Sequence, residues 1–205
     1  MDELLTDDEI VAVAGARGVG WPVPLVSVAG EERAITAAAF RGLRSLIVRG
    51  RARATGDGRT EIEPALAATV ERAAKAPRVV IAHVSGGDLA GLAGAAAAVF
   101  IDDRGIVLDV ADATGVHALE ESDAATARAR IVAFARTRFA PAPGLSLSSA
   151  GCVLIAASGE DRVLRVRPDH VEVGRVDLDD DGPRFAAAST TTFDAVDAFV
   201  ANAVR

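Results

Sequence analysis

IVAVAGARGVGWP, Ile10 to Pro22, admits two readings that lead to different folds. As an apolar strand running into a glycine-rich phosphate loop, it would open a doubly wound nucleotide-binding domain. As a short helix stopped by glycine, it opens something else. The flanks decide. In Leu5-Thr6-Asp7-Asp8-Glu9 a threonine precedes a glutamate by three positions, the pattern of a capping box. The acids Asp7, Asp8 and Glu9 suit the positive end of a helix dipole. Ile10, Val13 and Ala14 then share one helical face, and Gly15 and Gly18 stop the helix. A dinucleotide loop must open into a helix whose N-terminus holds the pyrophosphate. Here Trp21-Pro22-Val23-Pro24 follows, which favours an extended segment. The glycine spacing is G-x-x-G-x-G rather than G-x-G-x-x-G. The stretch is a helix and a loop.

The 205 residues suffice for one core, or for two small lobes sharing one. Half are hydrophobic and a quarter charged, as in a folded soluble protein. A net charge of −7 argues against a dedicated nucleic-acid binder, whose affinity rests on neutralising phosphates. Lys75 is the only lysine and tyrosine is absent, the usage of a GC-rich genome. Cys152 is the only cysteine, so no intramolecular disulfide forms, and Gly-Cys-Val-Leu-Ile reads as a buried small hydrophobe. The start Met-Asp-Glu shows no secretory signal. No apolar run reaches the ~20 residues of a membrane span. A cytoplasmic protein is expected.

Gly30 to Arg49 shows helical periodicity through Ile35, Ala39, Leu43, Leu46 and Ile47. Thr55 to Gly58 reads as a loop, and Pro64 opens a helix that Pro77 closes. The β-branched run Arg78 to Val84 predicts a strand. The Gly-rich stretch Ser85 to Gly94 predicts a loop before a strand at Ala98–Ile101. The turn Asp102–Gly105 leads to Ile106–Val110, making a hairpin, with a short strand at His117–Glu120. Asp123 caps a helix to about Phe139. Ser148 to Ala157 reads as a short apolar helix, with a strand as the alternative. Val163–Arg167, Val171–Val173 and Arg175–Leu178 read as strands, then Arg184–Ala186, then a helix capped by Thr192. Helix, strand, hairpin, helix thus occurs twice. The expected object is a single α+β domain, residues 1–205, with a mainly antiparallel central sheet and two quasi-symmetric lobes, about 1–140 and 144–205.

The chemical candidates do not assemble. Asp177 to Gly182 opens like a calcium loop, but the twelfth position, where a bidentate glutamate belongs, is Ala188. A solvated turn between strands is expected instead. His83, His117 and His170 show no metal-ligand spacing with one another or with Cys152. His83 reads as a core or interface histidine on the face of Val79 and Ile81, and His170 as exposed in a turn. Gly144 to Ser148 lacks the closing glycine of a nucleophile elbow. Arg41, Arg44, Arg49, Arg51, Arg53 and Arg59 form the one basic cluster, read as a solvated face. No catalytic residue, cofactor or metal is expected.

Three stretches resemble the EspG family of actinobacterial type VII (ESX) secretion proteins. They are LTDDEIVAVAGARGVGWPVPL with ERAITAAAFRGLRSLIVRG, then EPALAATVERAAKAPRVVIAHV, and the ending RPDHVEVGRVDLDDDGPRFAAASTTTFDAVDAFVANAVR. The resemblance implies two quasi-symmetric subdomains around a central sheet. It also implies a non-enzymatic, cytosolic chaperone that binds the hydrophobic tip of PE–PPE heterodimers. The chain is shorter than typical mycobacterial members, and the missing length falls in loops such as Ser85 to Gly94, which would correspond to a partner-contacting loop.

Such a chaperone needs a preformed apolar surface with a polar rim. Leu89 and Leu92 are the candidate apolar contacts, with Asp88 on the rim. The alternative is that both leucines tuck onto the sheet. The competing function is a non-catalytic regulatory or scaffold protein that kept the fold and changed its partner.

Overall fold

The computed structural model describes residues 3–56, 59–85, 95–139, 151–179 and 182–205. The chain starts with an edge strand, β1 (Glu3–Thr6), and turns at once into α1 (Asp7–Ala16). The expected capping box is present. Thr6 Oγ1 accepts from the Glu9 N–H at 3.3 Å, and Glu9 Oε2 accepts from the Thr6 N–H at 3.0 Å. Gly18, just past the helix, takes φ +67°, the left-handed region that ends helices. β1 is not legible in the sequence, since it has four residues and buries only Leu5.

Helix α2 (Glu32–Val48) crosses α1 closely. A Cβ at Gly42 would overlap the Asp8 carbonyl, so the glycine sets how near the two helices lie. The loop expected at 55–58 joins a small hairpin, β2 (Ala52–Ala54) and β3 (Thr60–Ile62), and its tip, 57–58, lies outside the described residues. Helix α3 (Pro64–Ala74) begins on its proline, where the missing N–H costs nothing.

Next come β4 (Arg78–Ser85), β5 (Ala96–Asp102), β6 (Gly105–Ala111), β7 (Val116–Ser122) and α4 (Ala124–Phe139). Asp123 caps α4 as expected, accepting from the Thr126 N–H at 2.8 Å. Then follow β8 (Cys152–Ala157), β9 (Val163–Val166), β10 (Val171–Asp179), β11 (Gly182–Thr191) and α5 (Asp194–Ala203). The nine strands of the large sheet run in the order β1-β7-β6-β5-β4-β8-β9-β10-β11, and neighbouring strands pair antiparallel throughout. A four-strand meander followed by a helix occurs twice, and the two meanders join where β4 pairs with β8.

Three expectations are corrected. Cys152–Ala157 is a strand, not a helix: Val153 and Ile155 are buried, Leu154 is half-buried and Ala156 exposed, the period of two that a sheet imposes. The segments expected as two strands before and after Gly174 are one strand. It carries an irregularity between Val173 and Gly174, where a Cβ would overlap the Ala186 carbonyl. Thr192 does not cap α5. The N-cap is Phe193, already at helical dihedrals, and the Thr192 carbonyl accepts from the Ala195 N–H at 3.1 Å.

Two apolar clusters lie on opposite faces of the sheet. One joins Val80, Val99, Leu108, Ile155, Leu164 and Val171 to Ile131 of α4 and Val196 and Val200 of α5. The other joins Ala98, Phe100, Val107 and Leu119 to Ile10 and Val13 of α1, Leu66 and Val70 of α3, and Leu46 of α2. Ala96 to Ile101 is buried without interruption because β5 has helices on both sides. The second cluster includes no residue of β8–β11. That side of the second meander has no helical layer among the described residues.

Candidate partner-binding surface

The bare side of β8–β11 is read from strand alternation. Val153, Ile155, Leu164, Val166, Val171 and Val173 point to the helices α4 and α5. Leu154, Val163, Arg165, Glu172 and Gly174 therefore point the other way. His83 of β4 is cross-strand partner to Leu154, which is partner to Arg165, which is partner to Glu172. A continuous row thus crosses four strands.

At its centre the Arg165 guanidinium lies 4.2 Å from the centroid of the Phe185 ring. Arg165 also bonds Glu172, and Arg167 Nε reaches the same carboxylate at 3.1 Å. The bond from Arg165 holds the Glu172 carboxyl down at about 2, against the opposing effect of burial. Burial lowers His83 below the usual histidine range and raises the Cys152 thiol. Cys152 is half-buried on this side, more open than the core hydrophobe expected of it. His83 is half-buried too, and faces the side of Val79 and Ile81 as expected.

This row adjoins the stretch in which the partner contacts were expected. Ser85 ends β4 opposite Cys152, and residues 86–94 follow. Asp88, Leu89 and Leu92 lie outside the described residues.

One polar cluster had no counterpart in the sequence reading. His117, fully buried, bonds Asp7 Oδ1 through Nε2 at 2.8 Å and Asp109 Oδ2 through Nδ1 at 2.9 Å. Asp7 Oδ2 accepts from the Ser27 N–H at 2.6 Å and from its hydroxyl at 2.8 Å. Burial pulls the imidazole pKa down, but the bonds to Asp109 and Asp7 outweigh it and push it up to about 9. Burial raises Asp109, while the bonds from His117 and Ser27 overcome burial and lower Asp7. Both ring nitrogens are thus committed to carboxylates, leaving none to serve as a general base. The cluster fastens the start of α1 and the Trp21–Ser27 loop to β6 and β7. Trp21 packs edge-on to His117 at 6.3 Å and against Phe100 at 5.2 Å. A Cβ at Gly115, at φ +77°, would overlap Asp7, so glycine is required beside the clamp.

The arginine cluster is not simply solvated. Arg41 makes a two-pronged bond to Asp8 at 2.7 Å for each prong, and Arg49 reaches the fully buried Glu9 at 2.7 Å. Arg51 bridges Glu3 at 2.8 Å and Glu63, and Arg53 bonds Glu61 at 2.6 Å. In the acid-rich segment, Asp177–Asp179 end β10, with Asp179 opposite Gly182 at the start of β11, and residues 180–181 lie outside the described residues. His170 sits half-buried in its turn with Asp169 Oδ1 at 2.7 Å. Among the described residues no group of three or more potential ligands could hold a metal ion, and no helix is long and apolar enough to cross a membrane.

No protein-family profile matches the chain, and no curated protein matches it. Among solved structures, it is similar to the Mycobacterium tuberculosis type VII secretion system chaperone EspG5, determined in complex with a PE25–PPE41 dimer. The TM-score is 0.49 and the identity 10%, over 100% of this chain and 94% of that one.

Proposed function

We propose that the protein is a secretion chaperone of the EspG type, which binds the hydrophobic tip of a PE–PPE-like heterodimer and keeps it soluble for export. The observation that carries this reading is the one-sided cover of the second meander. Among the described residues this sheet face of β8–β11 has no helical layer, yet it is preformed by strand pairing. It sets Leu154 and Phe185 beside the ion-paired side chains Arg165, Arg167 and Glu172, with the Arg165 guanidinium stacked on the Phe185 ring. Aromatic and aliphatic side chains mixed with arginine are the composition of a protein-binding surface. Leu89 and Leu92 would add contact area from the adjoining stretch, and Asp88 would lie on its border.

The test is co-expression of the full chain with PE–PPE-like heterodimers, read by size-exclusion chromatography. A stable ternary complex is expected. Leu154→Asp and the Leu89→Asp/Leu92→Asp pair, checked for unchanged melting, should each lose it. Normal capture by these folded variants, with capture abolished by charge reversal at Arg44 and Arg49, would move the site. Failure to capture any such heterodimer would favour the scaffold reading.

A further inference from the structure

Helix α2 has an outward face that none of the described residues covers. It packs on α1 through Ala38, Gly42 and Leu46, its buried positions. On the opposite side, Arg33, Ala37, Phe40, Arg44 and Val48 recur at spacings of four, three, four and four. All five are exposed, Phe40 at 67% and Val48 at 87%. That near-heptad spacing is the seam one helix presents to another. Beside it runs an apolar groove of about 460 Å³, between Val11 and Ala12 of α1, Ile35, Phe40 and Leu43 of α2, and Ile62 of β3.

Charge identifies the occupant. The neighbouring arginines 41, 49, 51 and 53 all have acidic partners. Among the described residues Arg33 and Arg44 have none. Arg33 also stands in the first turn of α2, where the helix dipole disfavours a cation and a nearby anion relieves it. The two cations bracket Phe40 and stand about 16 Å apart along the helix axis. We propose that this face docks an amphipathic helix of a partner protein, its apolar seam on Phe40 and the groove, and two acidic side chains about eleven residues apart on Arg33 and Arg44.

A second copy of the chain is a poor match. Antiparallel pairing about Phe40 would gather four cations along a seam that holds no acid. An anionic membrane is disfavoured too, since two free arginines work against a net charge of −7. The inference is independent of the secretion-chaperone reading, because α2 packs on α1 and β2 and joins the apolar cluster that includes no residue of β8–β11.

The test uses the full chain and a synthetic amphipathic peptide of about 18 residues with a leucine seam and two glutamates eleven apart. A sibling peptide carries lysines in their place. Fluorescence anisotropy should show saturable binding of the glutamate peptide and roughly tenfold weaker binding of its sibling, the size of two exposed ion pairs. The Arg33→Glu/Arg44→Glu variant should reverse that order, and Phe40→Asp should lose both peptides. The proposal is overturned if the glutamate peptide does not bind or if both peptides bind alike. Flotation with phosphatidylglycerol vesicles in place of peptide binding overturns it, as does a dimer that Phe40→Asp converts to monomer.

Discussion

The two meanders share one plan, four strands and a helix on the same face, but live in different surroundings. In β4–β7 the sheet is covered on both faces, by α4 on one side and α1 and α3 on the other. Strand β5 accordingly buries six residues in a row. In β8–β11 only one face carries helices among the described residues, and β8 and β9 alternate between buried and half-open positions. The difference comes from residues 3–76, which supply the second layer to the first meander alone. The second meander shields its open side with its own side chains. The guanidinium of Arg165 lies over the Phe185 ring, and Glu172 anchors it.

Truncating one large side chain in each half should break this symmetry most sharply. Phe100 is fully buried between Trp21 and the β5 neighbours, so Phe100→Ala should cost about 3–5 kcal/mol in denaturant unfolding. Leu154 on the open face should cost under about 1.5 kcal/mol as Leu154→Ala. Equal losses would mean that the second face is covered after all.

The clamp at His117 gives the first half a pH dependence on the alkaline side. The folded imidazole titrates at about 9, against about 6.5 when unfolded. A raised pKa means that the folded state holds the proton more tightly. The contribution is fully present below about pH 6.5 and is lost as pH rises through 9, about 3 kcal/mol at most. Urea unfolding between pH 6 and 10 should show this decline, and His117→Asn should flatten it. An unchanged alkaline limb in the variant would remove the clamp from the account.

The first half was legible where local chemistry decides structure. Thr6 and Glu9 mark the capping box, Pro64 a helix start, and the β-branched run from Arg78 a strand. The sequence was silent where pairing across distance decides. Asp7, Asp109 and His117 are up to 110 positions apart, and only the β6–β7 register and the β1–α1 junction bring them together. The one local signal was a charged residue, Asp109, inside the otherwise apolar run Ile106–Val110. Ser148–Ala157 misled because an apolar run with small residues suits either period. The bare sheet face had no signal at all, since what covers a face depends on other elements. The division of the chain into halves near residue 140 falls where 140–150 lie outside the described residues, and it stands as a proposal.

On the open face, Glu172 should matter under acid conditions. Its carboxyl is held at about 2, below its unfolded value of about 4.3. The stabilisation is therefore present above the unfolded value and is lost as pH falls through 2. Asp109, raised by burial, acts with the opposite sign. Glu172→Gln should cost about 1–3 kcal/mol at pH 7 and shrink the difference from wild type toward pH 2. A constant offset across that range would show that packing, not charge, is what the substitution removes.

The smallest effect is expected at the Arg53–Glu61 pair on the β2–β3 hairpin, which lies far from the open sheet face. Its side chains remain 78% and 56% exposed, so water screens the attraction and ordering two long side chains offsets part of it. Arg53→Ala should shift stability by less than about 0.5 kcal/mol, and less still at high salt. It should also leave the capture proposed for the second meander untouched, because no arginine of this cluster belongs to the row from His83 to Glu172. A loss of several kcal/mol would show that the hairpin is held by this pair. A loss of capture without a loss of stability would place the binding surface on the arginine side, and the contrast between the two meanders would no longer explain where a partner sits.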